Sequence, residues 1–147
     1  MGGMPGNPWI KRAYEPADEA GVLYLHLKSF AHSPFGRAQG AHIDGSDGER
    51  AYWKAHREVV LGLLASADTE VLCDPEEPSV FWAFAITRGD LVHYAVVKRR
   101  FRGESASMFR DLLGERLDRP CTYTHDFAGT GLTVPASWIL NPYAGSK

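Results

Sequence analysis

The chain contains little cysteine, little net charge and no long hydrophobic run. Its two cysteines, Cys73 and Cys121, stand far apart and show no C-x-x-C spacing. Neither a zinc site nor a disulfide framework is therefore predicted, and both cysteines are expected to be buried strand residues. The formal net charge of -2 gives no general attraction to nucleic acid or to an anionic membrane. No stretch approaches the ~20 apolar residues that a membrane-spanning helix needs, so we expect a soluble, cytoplasmic protein.

The length of 147 residues and the hydrophobic content of 44% suit one domain with a core of ordinary size. Residues 1–8 are rich in Gly and Pro and contain no hydrophobic run. This composition predicts a flexible N-terminus and not a signal peptide. The single predicted domain covers residues 9–147.

The first half of the chain predicts one strand and two helices. Residues 9–14 are a candidate strand, and Pro16 followed by acidic residues is typical of a helix start. Residues 32–45 form a long loop of the kind that often lines a substrate site. Ser46 and Glu49 have the spacing of a capping box and begin the second helix. The apolar stripe of that helix consists of Tyr52, Trp53, His56, Val59, Val60, Leu63 and Leu64.

The second half is predicted to contain four strands and a helix. Residues 70–74, 80–87 and 91–97 are predicted strands separated by turn-forming residues, and residues 121–124 form a further one. A helix is predicted between the last two strands, because apolar residues recur at helical spacing there. These residues are Met108, Phe109, Leu112 and Leu113. The order of elements is therefore strand, helix, helix, three strands, helix, strand.

Small residues crowd the beginning of the helix that follows the strand at 91–97. Gly103, Ser105, Ala106 and Ser107 let a ligand approach the backbone closely. The first N–H groups of a helix have no partner inside the helix, and the helix dipole favours negative charge at this end. The segment is therefore a candidate site for a di-anionic pyrophosphate.

This segment resembles the acyl-CoA-binding motif of the GCN5-related N-acetyltransferase (GNAT) superfamily. In that motif a strand ending in Val leads to Arg/Gln-x-x-Gly-x-Gly/Ala, which begins a helix. Val97 takes the place of the strand end and Arg102 the place of Arg/Gln. Ser105 and Ser107 stand where the family usually has Gly, and Arg99 stands where Pro is common. The resemblance covers roughly residues 9 to 127 by the order of the elements.

The resemblance implies an α/β protein of the α+β type, with a GNAT-like mixed, mostly antiparallel central sheet flanked by helices and a shortened C-terminal part. It also implies acetyl-CoA or another acyl-CoA as co-substrate, without a metal, and acyl transfer to a primary amine of a small molecule, a protein or a modified nucleobase. The backbone near Val96 and Val97 would pair with the pantetheine amides. The pyrophosphate would be held by the backbone N–H groups of Arg102, Gly103, Glu104, Ser105, Ala106 and Ser107.

Two histidines and two tyrosines are candidates for proton transfer. His125 lies just past the strand at 121–124, where the family's site lies between separating strands, and it is the preferred general base. His93 is the alternative base because imidazole titrates near working pH, although a half-buried histidine with a backbone partner is the more common explanation. Tyr123 and Tyr143 are candidates for the general acid, and core packing explains a tyrosine as well.

The remaining histidines give no metal motif. No pair stands at i, i+4 on a predicted helix with an acidic neighbour, so no metal site is predicted. His32 and His42, in the loop at 32–45, are candidates for substrate contact.

The residues after 127 are too few for the further helix and two strands that GNAT proteins usually have. Residues 138–143 predict one short closing strand. The ending, with an aromatic residue and Asn141-Pro142-Tyr143, resembles small GNAT-like proteins of tailed bacteriophages and prophages. No further helix is evident that would supply the family's usual catalytic tyrosine.

The run from Lys98 to Arg102 places four basic residues around Phe101. Such a run is typical of a nucleic-acid patch with a stacking aromatic. A site for the phosphates of CoA, or a solvated turn between strand and helix, explains the run better, so nucleic acid is not the favoured partner. Neither the acceptor amine nor the oligomeric state is predicted by the chain.

Three classes of function remain open. The first is an acyl-CoA-dependent N-acyltransferase, and the second is a catalytically inactive GNAT-fold binding or assembly module. The third is an unrelated nucleotide-binding domain, which would require a parallel sheet with crossover helices. The chain lacks both the Gly-x-x-x-x-Gly-Lys-Ser/Thr motif and a Gly-x-Gly-x-x-Gly motif in the expected surroundings.

Overall fold

A six-stranded sheet forms the centre of the protein. The computed structural model describes residues 8–144, so the predicted flexible segment at 1–8 lies outside the described residues except for Pro8. The strands follow one another across the sheet in chain order. They are β1 (Ile10–Ala13), β2 (Asp68–Cys73), β3 (Phe81–Arg88), β4 (Leu91–Val97), β5 (Thr122–Tyr123) and β6 (Ile139–Leu140).

The sheet is mixed, and most of its pairing is antiparallel. Strands β1 to β4 form an antiparallel meander, whereas β5 runs parallel to β4 and β6 runs parallel to β5. The predicted α+β class with a mostly antiparallel sheet is confirmed. A doubly wound parallel sheet, which the nucleotide-binding alternative requires, is not the architecture of this protein.

Four α-helices surround the sheet. They are α1 (Glu19–Phe30), α2 (Pro34–Ala38), α3 (Asp47–Ser66) and α4 (Ser105–Leu113). Three short 3-10 segments, Pro16–Asp18, Arg99–Glu104 and Gly114–Asp118, lie beside them.

Local hydrogen bonds set the helix starts that the sequence predicts. The side chain of Ser46 accepts from the N–H of Glu49, and the carboxylate of Glu49 accepts from the N–H of Gly45. Ahead of α1, the guanidinium of Arg12 donates to both carboxylate oxygens of Asp18 at 2.7 and 2.8 Å. This bidentate pair connects β1 to the beginning of α1.

Helices cover both faces of the central strands. Every residue of β4 except Leu91 is buried, which means that both alternating faces of the strand are packed. α1 packs against α3 and β4, and α4 packs against β2, β3 and β4. A hydrogen bond also connects α4 to the residue just before β1, because the indole N–H of Trp9 donates to the carboxylate of Asp111 at 2.9 Å.

The structure differs from the sequence-based expectations in three places, one of which is the closing strand predicted at 138–143, which is reduced to the two residues of β6. The loop predicted at 32–45 contains the short helix α2, which begins where the hydroxyl of Ser33 accepts from the N–H of Gly36. The strand predicted at 121–124 is reduced to the two residues of β5. Cys73 and Cys121 are buried as expected. Among residues 8–144, no helix combines the length and apolar character needed to cross a membrane.

Candidate functional site

β4 and β5 form a fork. They pair only through Leu91 with Thr122 and Val92 with Tyr123. The N–H of Thr124 still donates to the carbonyl of Val92 at 3.2 Å, and beyond this bond the two chains separate. β4 continues to Val97, so the second half of β4 does not pair with β5 along this edge. Parallel strands that separate in this way leave a groove beside the longer strand.

Residues 127–131, which we call the groove segment, lie in this groove. The N–H of Val97 donates to the carbonyl of Thr130 at 3.2 Å. The ring of Phe127 stacks on that of Tyr94 with centroids 5.6 Å apart. Gly129 fits against the end of α1, since a Cβ there would lie 2.1 Å from the carbonyl oxygen of Ser29. The Val97 backbone position predicted to bind pantetheine therefore already has a partner within the chain.

The side chain of Arg102 joins the end of β4 to the groove segment. Its guanidinium donates to the carbonyl of Val97 at 2.7 Å and to the carbonyl of Gly129 at 2.9 Å. Burial, together with the nearby charge of Arg99, lowers the pKa of Arg102. The same side chain closes over Gly131, whose backbone has a positive φ of 92°. Arg102 thus stabilises the closed position of the segment through carbonyl groups and not through a carboxylate.

The predicted pyrophosphate cradle is helical throughout. The turn from Arg99 to Glu104 is a 3-10 helix that runs directly into α4, and the N–H of Ser105 donates to the carbonyl of Arg102. The N–H of Ser105 is therefore not a free donor. Gly103 is exposed, and a Cβ there would meet nothing within 4 Å. The roles of Gly103, Glu104, Ser105, Ala106 and Ser107, and that of Val96 in β4, stay predictions.

A cationic cavity of about 360 Å³ lies between the end of α1 and the turn after β4. Its basic side chains are Lys28, His32, His42, Arg99 and Arg102. Among the residues that the structure describes, no carboxylate pairs with Arg99 or Arg102, whereas Lys28 pairs with Asp44. The cavity therefore has uncompensated positive charge, and an anionic group is its natural ligand.

Three histidines meet at the base of the fork. His26 from α1, His56 from α3 and His125 after β5 have ring centroids 5.4 to 5.9 Å apart. His26 also stacks on Tyr94 with a centroid distance of 3.9 Å. Within residues 8–144, both ring nitrogens of His26 and the Nε2 atom of His56 lack a hydrogen-bond partner. Such buried unpartnered nitrogens favour the neutral imidazole and carry a desolvation cost.

Burial keeps this cluster uncharged. It lowers the pKa of His56 to about 4. Burial, with a further contribution from His56, lowers the pKa of His125 to about 3. The pKa of His26, which is completely buried, is lowered well below its ordinary value. All three rings are therefore neutral near pH 7, and each has one unprotonated ring nitrogen.

The hydroxyl of Thr124 connects the two predicted bases. It lies 2.9 Å from Nδ1 of His125 and 3.1 Å from Nδ1 of His93, and it donates to the carbonyl of His93 at 3.3 Å. A hydroxyl has one proton, so with that proton on the carbonyl of His93 both imidazoles donate to the hydroxyl oxygen through Nδ1–H. The Nε2 atom of His125 is then the acceptor. His93 itself is buried, and burial is the main reason that its pKa is lowered.

A second cavity, which we call the His56–His125 pocket, has a volume of about 350 Å³. Its walls are apolar and consist of Phe30, Phe35, Val59, Leu140 and Pro142. Its polar lining is made of His56, Thr124, His125 and Asp126. One oxygen of Asp126 accepts from the N–H of Ala128. The pocket thus opens beside the predicted base and contains one acidic side chain.

The two tyrosines proposed as acids lie apart from each other. Tyr123 is partly buried and stacks with Phe127 at 5.6 Å, within 6.2 Å of the Trp138 ring. Tyr143 is 80% exposed, at the end of the described residues. Of the predicted loop contacts, His32 and His42 line the cationic cavity and do not reach the His56–His125 pocket. All four catalytic roles stay predictions.

Sequence reasoning missed three polar residues of the site. His26 and His56 lie on apolar helix faces, where a histidine is usually interpreted as a core residue. Asp126 was missed because it follows a strand that was predicted too long. The available signal was the spacing of Val22, His26 and Phe30, which follow one another at intervals of four residues. On a helix this spacing places the polar ring of His26 within the apolar face. Among residues 8–144, no group of three or more His, Cys, Asp or Glu side chains is arranged to hold a metal ion.

Comparison with known proteins gives one distant likeness. No family model matches the chain, and no curated protein matches it. The fold is similar to a crystal structure described as "GCN5-Related N-acetyltransferase: Aminotransferase, Class-II" from Rhodopseudomonas palustris, with a TM-score of 0.46 and 17% sequence identity. The similarity covers 73% of this chain and 63% of that one. This likeness concerns the fold and says nothing about what the present chain binds.

Proposed function

We propose that this protein is an acyl-CoA-dependent N-acyltransferase that acts on a primary amine. The observation that carries the proposal is the fork between β4 and β5 with a neutral imidazole at its base. The strands stop pairing after Val92 and Tyr123. His125 lies two residues beyond, beside a cavity large enough for a small substrate.

The residues around the fork have chemistry suited to the two substrates. An acyl-CoA, when bound, would supply the thioester whose C–S bond breaks as the amine forms the new C–N bond. Arg99 and Arg102 would hold its phosphates, since no carboxylate in the described part of the chain compensates their charge. His42 also lines this cavity, and its buried Nδ1 atom has no hydrogen-bond partner among residues 8–144. These donors fit a phosphorylated ligand.

His125 would act as the general base and Tyr123 as the general acid. When Nδ1–H of His125 donates to the hydroxyl of Thr124, Nε2 is free to accept the proton that the attacking amine must lose. A pKa of about 3 makes the buried ring a weak base. Burial is the main cause of this low pKa, so any opening of the groove that admits water will raise it toward the working range.

The test is release of the CoA thiol from acetyl-CoA in the presence of a panel of primary amines. We expect amine-dependent release that falls at least about a hundredfold in His125→Ala, the lower range for loss of a general base. Tyr123→Phe should reduce release less, because Tyr123 is only partly buried and water can replace its hydroxyl as the proton donor. Acetyl-CoA that binds but releases no thiol with any amine would contradict the proposal.

The second candidate is a catalytically inactive module of the same fold. The specific observation in its favour is that the groove segment occupies the groove, with the N–H of Val97 bonded to Thr130. For an enzyme this segment must move, and the apparent affinity for the cofactor is reduced by the fraction of molecules in which it has moved. For a module the segment is permanent structure, and no CoA species would bind.

One matched pair of variants separates these candidates. A Cβ at Gly129 would lie 2.1 Å from the carbonyl oxygen of Ser29, so Gly129→Ala must push the segment away from α1. Gly62→Ala, on the exposed side of α3, adds the same atom where nothing lies within 4 Å. If the protein is an enzyme with a displaceable segment, the Gly129→Ala variant should bind acetyl-CoA more tightly than the unaltered protein does. The Gly62→Ala variant should bind it as tightly as the unaltered protein. Absence of binding in both would favour the module.

A further inference from the structure

The His56–His125 pocket differs from the cationic cavity in charge and polarity. Its walls are apolar side chains from α1, α2, α3 and β6, and several of them are exposed to water. Phe35 is 51% exposed, Val59 45% and Leu140 48%. Large apolar side chains grouped around one concave site are typical of a binding surface, because a ligand removes them from water.

The polar part of the pocket disfavours anions and tolerates an amine. His56 and His125 are neutral, since burial lowers their pKa values to about 4 and about 3. Asp126 is the one formally charged side chain that lines the pocket. A negative ligand would meet this carboxylate without a cation to offset it. A primary amine can approach Asp126 as ammonium and transfer its proton to Nε2 of His125.

We infer that the His56–His125 pocket binds the acceptor, and that this acceptor is a primary amine with an apolar, aromatic or branched body. That the bound amine is the acyl acceptor rests on the proposed function, whereas the existence of the amine-binding site does not. The apolar body would lie against Phe35, Val59 and Leu140, and the amino group would face His125 and Asp126. Burial of apolar surface is worth about 25 cal/mol per Å², so such a body should contribute most of the affinity.

The cationic cavity supports this division of ligands. Arg99 and Arg102 would repel an ammonium group, while they would attract the phosphates of a co-substrate. The two cavities lie next to each other, because consecutive residues Ser29 and Phe30 of α1 each line one of them. Two substrates with opposite charge would thus be directed to adjacent sites.

The test measures amine binding without turnover. The probes are 2-phenylethylamine and ethanolamine, titrated by calorimetry against the full chain at pH 8. We expect 2-phenylethylamine to bind at least tenfold more tightly than ethanolamine. Equal affinities, or tighter binding of ethanolamine, would overturn the inference.

Neighbouring residues of β6 provide the matched control. Leu140 lines the pocket, whereas Ile139 does not and is 67% exposed. Leu140→Gln should weaken the binding of 2-phenylethylamine at least fivefold, and Ile139→Gln should leave it unchanged. Val59→Trp, at an exposed position of α3, should block the pocket if the β6 variants do not fold. Unchanged binding in both Leu140→Gln and Val59→Trp would overturn the inference.

The same experiment distinguishes two other outcomes. If 2-phenylethylamine binds in this pocket but no thiol is released from acetyl-CoA, the proposed function fails while the amine site stands. If thiol is released with ethanolamine and not with 2-phenylethylamine, the proposed function stands and the inferred substrate class is wrong. If Leu140→Gln changes the oligomeric state measured by sedimentation and leaves amine binding unchanged, the apolar surface is a protein interface and the inference is overturned.

Discussion

Lowering the pH from 8 to 5 should remove at least about 4 kcal/mol from the free energy of unfolding. Burial lowers the pKa of His56 to about 4 and that of His125 to about 3, and it lowers the pKa of His26 well below the ordinary value. In the unfolded chain each histidine titrates near about 6.5. The unfolded state therefore binds more protons below this pH. Stability is fully present above pH 6.5 and is lost as the pH falls toward the folded-state pKa values.

The size of this loss of stability follows from the difference between the pH and the pKa of histidine in the unfolded state. At pH 5 this difference is about 1.5 pH units, and each unit corresponds to about 1.36 kcal/mol, so each histidine that stays neutral costs about 2 kcal/mol. His56 and His125 together give about 4 kcal/mol. His26 and His93, whose pKa values are also lowered by burial, add to this loss. Because domains of this kind have about 5–15 kcal/mol of stability, the protein should be close to unfolding at pH 5.

The assay is urea unfolding followed by circular dichroism at several pH values between 8 and 5. His26→Phe should keep the stacking on Tyr94 and remove the two ring nitrogens that have no partner in the described chain. The loss of stability between pH 8 and pH 5 should therefore be smaller in this variant than in the unaltered protein. The substitution should also raise the stability at pH 8, because unpartnered buried polar atoms cost about 1–3 kcal/mol. A free energy that stays constant from pH 8 to pH 5 would refute this account of the cluster. So would an unchanged pH dependence in His26→Phe.

Three further predictions concern the stability of the fold and use thermal or urea unfolding. Gly62→Ala should stabilise the protein by up to about 1 kcal/mol, because a helical glycine with open space around it loses more entropy than alanine; a loss of stability would contradict the described helix. Trp9→Phe should cost about 1.5–3 kcal/mol through loss of the hydrogen bond to the buried carboxylate of Asp111, and a negligible change would mean that this bond is not formed. Met108→Ala should cost about 2–5 kcal/mol because this side chain is completely buried under the sheet, and a cost below about 1 kcal/mol would contradict that packing.

Local signals in the sequence predicted the elements whose causes are local. Ser46 and Glu49 mark the beginning of α3, and the capping bonds are present in the structure. The bounds predicted for β4 agree with the observed Leu91–Val97. The helix α2 was missed although Ser33 and Pro34 provide a cap and a first helical residue, because the surrounding Gly and His residues suggested a loop.

Contacts between distant parts of the chain could not be predicted in the same way. His26, His56 and His125 come from three elements that approach only after folding, and each is unremarkable in its own segment. The position of the groove segment depends on backbone bonds from Val97 and on the side chain of Arg102, which leave no periodic pattern in the sequence. For the same reason β5 was predicted too long, since its length is limited by the separation from β4 and not by its residue types.

The central claim is that the fork binds an acyl-CoA once the groove segment moves, and calorimetric titration of acetyl-CoA tests it most directly. Free CoA and ATP serve as comparison ligands, and Gly129→Ala and Gly62→Ala as variants. The account predicts that acetyl-CoA and CoA bind while ATP binds much more weakly, and that Gly129→Ala binds acetyl-CoA at least tenfold more tightly than Gly62→Ala. Failure of both CoA species to bind to the unaltered protein and to both variants would contradict it.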